Sequence, residues 1–122
     1  MLRVIGGVIA GLIVWAVVVT LLNFGLRYGL TGYAAVEKAM NFTVTMMIGR
    51  LSISAISSLV GGYAAAAIGK RQLSAVLSGV ILLALFIPVH YSIWSHFPIW
   101  YHLTFLTSLP VLSIIGGKFA RV

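Results

Sequence analysis

The chain has 122 residues, 61% of them hydrophobic and 7% charged, with a mean hydropathy of +1.15. A soluble domain carries roughly 45–50% apolar and about 25% charged residues, and a small one exposes a large share of what it has, so a water-soluble fold is excluded. Cysteine is absent, which removes disulfides, thiolate nucleophiles and cysteine-ligated metal centres. Eight Lys and Arg face a single acid, but they stand singly between apolar runs, the pattern of membrane topology rather than of a nucleic-acid surface.

A helix that crosses about 30 Å of hydrocarbon needs about 20 mostly apolar residues. The first such stretch is 4–26. Arg3 precedes it, yet the apolar run is too long for the h-region of a signal peptide and no small-x-small cleavage site follows, so the helix is expected to be retained. Gly7 and Gly11 form a GxxxG pair in it. Thr20, Asn23 and Arg27 fall on one face near its far end.

The connection 27–48 holds Glu37, the only acidic side chain, beside Lys38, and an Asn41-Phe42-Thr43 sequon that matters only in a glycosylating pathway. The second helix is expected over 49–69. Tyr33, Val36, Met40 and Met47 recur at spacings that allow an earlier start. Arg50 sits near its outer end, in line with Met46, Ser54, Ser57 and Gly61, and so on the small, polar face. Ser54, Ser58, Gly62 and Ala66 lie four apart, with Ser57, Gly61, Ala65 and Gly69 beside them. Such strips let helix backbones approach closely, which lipid-embedded helices need because tails and side chains are equally apolar.

The third helix is expected over 73–91, after a tight turn at Lys70, Arg71 and Gln72, and the fourth over 99–117, with Pro98 at its start. Short connections make helices two and three, and three and four, antiparallel neighbours. Ser74 and Ser78 in the third, and Ser113 and Gly117 in the fourth, continue the small-residue pattern. Pro88 and Pro110 fall inside helices and free the carbonyls of Ala84 and Leu106. Tyr91, Trp94, Trp100 and Tyr101 suit an aromatic interface belt. The fold expected is therefore an all-α, up-down bundle of four transmembrane helices in one domain. Arg3, Lys70, Arg71, Lys118 and Arg121 on one side outweigh Arg27, Lys38 and Arg50 on the other, which sets both termini inside.

Three sets of residues are candidates for function. Asn23, Arg27 and Arg50 can line a basic outer vestibule, since a cation within a spanning helix is costly and marks a site or an anchor. His90 ends helix three and His102 begins helix four, so they can face each other and offer haem or metal ligands, although no HxxxH or HExxH motif supports them; His96 lies between. Gly7, Gly11, Ser54, Ser58, Gly61 and Gly62 are expected to pack the helices. No G-x-S-x-G element or Ser–His–carboxylate set is present, so conventional catalysis is not expected.

The stretch Phe86-Ile-Pro-Val-His-Tyr, followed by Trp94-Ser-His-Phe-Pro-Ile-Trp-Tyr-His-Leu-Thr-Phe-Leu, resembles small four-helix bacterial inner-membrane proteins that carry no assigned activity. Trp15-Ala-Val-Val-Val-Thr-Leu-Leu-Asn is similar to the same group. The resemblance implies a bacterial plasma membrane and no mechanism. Small multidrug transporters are of like size but carry a glutamate in helix one, which this helix lacks. The Asn and Phe signatures of fluoride channels have no recognisable counterpart. The leading expectation is a non-enzymatic accessory or structural membrane protein without a cofactor. A small transporter or channel with a basic vestibule comes next, and a haem or metal module third. The expected partners are the lipid bilayer and a second copy or another membrane protein, not nucleic acid.

Overall fold

The computed structural model describes residues 2–29 and 44–120. Four helices make up the bundle: α1 (Leu2–Gly29), α2 (Val44–Gly69), α3 (Gln72–Ser92) and α4 (Ile99–Lys118), with a short 3-10 turn, Trp94–His96, between the last two. All four are long and apolar enough to cross a membrane, so this is a multi-pass, all-α membrane protein. Helix α1 runs past its expected end to Gly29, and α2 starts at Val44 rather than Gly49, which brings Met46 and Met47 into the helix as buried residues. Tyr33, Val36, Met40, the Glu37–Lys38 pair, the sequon and Arg121 lie outside the described residues.

Burial is inverted relative to a soluble bundle. In α1, Ile5, Ile9, Ile13, Val17 and Leu21 are exposed, one every four residues, while Val4, Gly7, Val8, Gly11 and Trp15 are buried. The fully buried set includes six serines, Ser54, Ser57, Ser58, Ser74, Ser78 and Ser113. Small polar side chains turn inward because they permit close backbone contact, leaving large apolar side chains for lipid; Ser57, Ser58, Ser74 and Ser113 bond nearby groups, whereas the Ser54 and Ser78 hydroxyls have no partner.

The small residues expected to pack the helices do so within one chain. A Cβ on Gly7 would strike the Ala65 carbonyl and Gly69, and one on Gly11 would meet the Ala65 side chain at 2.7 Å and the Gly61 carbonyl at 2.9 Å. Gly62 lies against the Ser113 backbone and Gly116 against that of Leu59, locking α2 to α4. Ser58 accepts a 3.1 Å bond from the Trp15 indole, and Ser113 donates to the Ala75 carbonyl at 2.7 Å. Helix α2 is thus the centre of the bundle, packed extensively on α1 and α4, whereas α1 packs only sparsely on α3. Pro88 and Pro110 sit inside continuous helices.

At one end, here the turn end, the start of α1, the α2–α3 turn and the end of α4 converge. Ser74 donates to the Val4 carbonyl, and the Gln72 amide donates to the Gly117 carbonyl at 2.7 Å. The turn is made by Lys70, whose φ of 60° is left-handed. That conformation suits glycine and costs other residues about 1 kcal/mol. Lys70→Gly is therefore expected to stabilise the bundle by about 1 kcal/mol, read as a higher SDS midpoint in mixed micelles; an unchanged or lower midpoint would show that the turn is not strained.

Candidate functional site

The opposite, aromatic end holds both polar clusters. Arg50 lies about 9 Å along the axis from Val44 at about 1.5 Å per residue. It is half-buried, and its Nε–H donates to the Tyr101 hydroxyl at 3.0 Å. The face shared with Met46, Ser54, Ser57 and Gly61 is the inward one, since all four are buried. Tyr101 corrects the belt expectation. Its neighbour Trp100 is exposed at 43%, but Tyr101 is 1% exposed, rotated by one residue into the bundle.

Beneath Arg50 is a cavity of about 290 Å³. Helix α1 lines it with Trp15, Val19 and Asn23, and α2 with Arg50, Ile53 and Ser54; Phe86 of α3 and Phe105 of α4 complete the wall. Two residues of the expected vestibule, Asn23 and Arg50, are brought together. Arg27 is not: it sits one turn further out, exposed, with its guanidinium 5.0 Å from the centre of the Phe24 ring. Its place in the last turn of α1 sets a cation against the carbonyl end of the helix dipole. Thr20 is also turned out and donates to the Ala16 carbonyl. Asn23 and Arg50 each have further interactions.

Ser54 is the residue that sequence reasoning placed only in a packing strip. Its side chain is 1% exposed, lines the cavity, and its hydroxyl has no hydrogen-bond partner. By contrast Ser57, one turn further on, donates to the Ile53 carbonyl. A buried hydroxyl left unpaired costs about 1–3 kcal/mol; this one is shielded by its neighbours, and turning about the Ser54 Cα–Cβ bond toward the cavity its residue lines would give it a ligand acceptor there. The cavity thus combines a guanidinium, a hydroxyl and an amide with three aromatic walls, a donor-rich lining suited to an anion.

The second cluster is the histidine pair. His90 and His102 are 3% and 0% exposed, and their Nδ1 atoms are 2.7 Å apart. His102 Nε2 stands 3.0 Å from the Trp94 carbonyl oxygen, which only accepts, so that nitrogen carries a proton. In the neutral pair, His102 Nδ1 is then an acceptor and His90 Nδ1–H donates to it. The rings are enclosed: Trp94 stacks on His102 at 4.4 Å between centroids, and Phe105 lies 4.6 Å from His90. The expected facing of the two histidines is present, but the pair does not fit an iron or other metal between them. Two nitrogens each about 2 Å from one ion stand about 3.3 Å apart in tetrahedral geometry and about 4 Å apart when trans, whereas here the facing Nδ1 atoms are 2.7 Å apart and hydrogen-bonded. Among the described residues no set of three His, Cys, Asp or Glu side chains comes together.

Fold and site together define a four-helix, multi-pass membrane protein with a donor-lined cavity near one end. No family model, curated protein or solved structure matches the chain.

Proposed function

We propose that the chain is a non-enzymatic membrane protein that binds an anion in the cavity below Arg50, as a small transporter or channel does, in a bacterial plasma membrane with both termini in the cytoplasm. The cavity carries this reading: Arg50, Asn23 and Ser54, whose buried hydroxyl has no partner, line one space. The small-residue strips are buried against partners in their own chain, as a packing role requires, and give no support to a contact with a second copy. On the basic-residue bias the aromatic end faces outward. With 26 residues α2 is about 39 Å long, so centring it on about 30 Å of hydrocarbon leaves the Arg50 Cα about 5 Å inside the border. A cation at that depth is costly, and Arg50 offsets part of that cost through Tyr101 and its further interactions.

The test is a binding series on purified protein in phosphatidylcholine nanodiscs, using inorganic phosphate and carboxylates from acetate to long-chain members. At least one of these anions is expected to bind, with affinity falling tenfold or more in Arg50→Gln while helical content is retained. If no member of the series shows a difference between wild type and Arg50→Gln, the reading is wrong.

A further inference from the structure

The shape of the cavity narrows the class of anion, and the following rests on the anion reading above. Along the bundle axis its lining is ordered. Asn23 and Arg50 lie level with each other toward the aromatic end, the Ser54 hydroxyl is one turn deeper, and Trp15 is deepest, near the middle of α1. The donors are at the top and the apolar surface is below them, the polarity of an amphiphile standing in the same leaflet.

The direct path from water is covered. Beyond Arg50, the buried side chains of Met46, Met47, Phe97 and Tyr101 form a cluster, with Leu26 and Ile93 packed against it. A small hydrated anion arriving along the axis would have to cross that apolar layer. The flank between α1 and α3 is different. These helices meet near the turn end through Val4 and Ser74, and at mid-height through the Trp15 and Phe86 rings, 5.1 Å apart. Past that level Leu21 and Phe24 on one helix and Ile87 and Val89 on the other are exposed, while Asn23 and His90 turn inward and Leu26 and Ile93 meet the capping cluster. Val19, Asn23 and Phe86, which line the cavity from these two helices, are themselves only half-buried. The accessible side is the one that faces lipid tails.

We infer that the cavity admits an anionic amphiphile of the long-chain carboxylate kind, sideways from the surrounding leaflet, with its anionic head at Arg50 and Ser54 and its tail against Trp15 and Phe86. At about 290 Å³ the cavity is many times the space one water needs and accommodates a head with part of a tail.

Trp15 gives the readout. The chain has three tryptophans, so Trp94→Phe with Trp100→Phe leaves Trp15 alone, on the floor of the cavity. In phosphatidylcholine nanodiscs, a dibrominated long-chain carboxylate is expected to quench Trp15 saturably and to be displaced by its unbrominated form. Half-saturation should move at least tenfold higher in Arg50→Gln and several-fold higher in Ser54→Ala. A dibrominated alcohol of the same chain length should show no saturable quenching. Ser54→Ala removes a hydroxyl without a partner, so thermal stability is not expected to fall, and it keeps the test decisive should Arg50→Gln unfold. Acetate and inorganic phosphate should bind at least a hundredfold more weakly than the long-chain carboxylate. If they bind as tightly, with the same Arg50 dependence, the amphiphile is wrong and the anion reading stands. If the brominated carboxylate quenches wild type and both variants alike, the inference is overturned. If no anion of any length binds, both fail.

Discussion

Gly62→Ala is expected to destabilise the bundle by about 2–3 kcal/mol, the upper part of the range for overpacking a rigid interior. The added methyl would land on the Ser113 backbone, and a backbone cannot rotate away as a flexible side chain can. The only relief is to move α4 away from α2, which also pulls Gly116 off Leu59 and stretches the Ser113–Ala75 bond. A matched pair in α1 controls for the general effect of adding a methyl. Gly7→Ala meets the Ala65 carbonyl and Gly69 and should destabilise, whereas Gly6, its neighbour, has nothing within 4 Å of the added carbon. Gly6→Ala should be neutral or stabilise by up to about 1 kcal/mol, because alanine is the better helix former. Reversible SDS unfolding in mixed micelles, followed by circular dichroism, measures all three. Equal midpoints for Gly6→Ala and Gly7→Ala would show that α1 does not seat on α2 through the Gly7 face.

Breaking the histidine pair is expected to have an effect of similar size, and one that is strongly non-additive. His102→Phe leaves the Trp94 carbonyl and His90 Nδ1 without their partner in a buried, aromatic surrounding. An unpaired buried polar group costs about 1–3 kcal/mol, so a loss of about 3 kcal/mol is expected. His90→Phe leaves only His102 Nδ1 unpaired and should cost about 2 kcal/mol. The double variant replaces both rings with apolar ones and removes the mutual deficit, so it should cost less than the two singles together, with a coupling of about 1–3 kcal/mol. Additive losses in the double-mutant cycle would mean that the Nδ1–Nδ1 contact carries no energy of its own.

The crossings were legible because four long apolar runs separated by polar residues have few other solutions, and the inward strips of α1 and α2 because small residues four apart are hard to place anywhere but against a backbone. The start of α2 was less so, since Thr45 and Arg50 dilute the apolar pattern just where the helix begins. What could not be read was rotation and pairing. Trp100 and Tyr101 are adjacent aromatic residues at a helix start, yet one faces out and the other accepts a bond from Arg50. Nothing in their order says which, because the choice is made by α2, 51 positions away. Arg27 and Asn23 share a helix face, and only the depth of the cavity separates them. Ser54 looked like its neighbours in the strip; that it alone of Ser54, Ser57 and Ser58 has no hydrogen bond depends on what stands opposite in three dimensions.

The convergence at the turn end also bears on how the chain is made. Val4 is joined to Ser74, and Gln72 to Gly117, so the clasp that holds this end together is tied by residues from α1, α3 and α4. A ribosome delivers them in that order. Until α4 follows, Gly62 has no Ser113 to receive and α2 would show lipid a furrow of glycine and serine. Helix α1 can dock on α2 early, through Gly7, Gly11 and Gly61. The central helix is completed only when α4 arrives, and until then its glycine and serine face stays open to lipid.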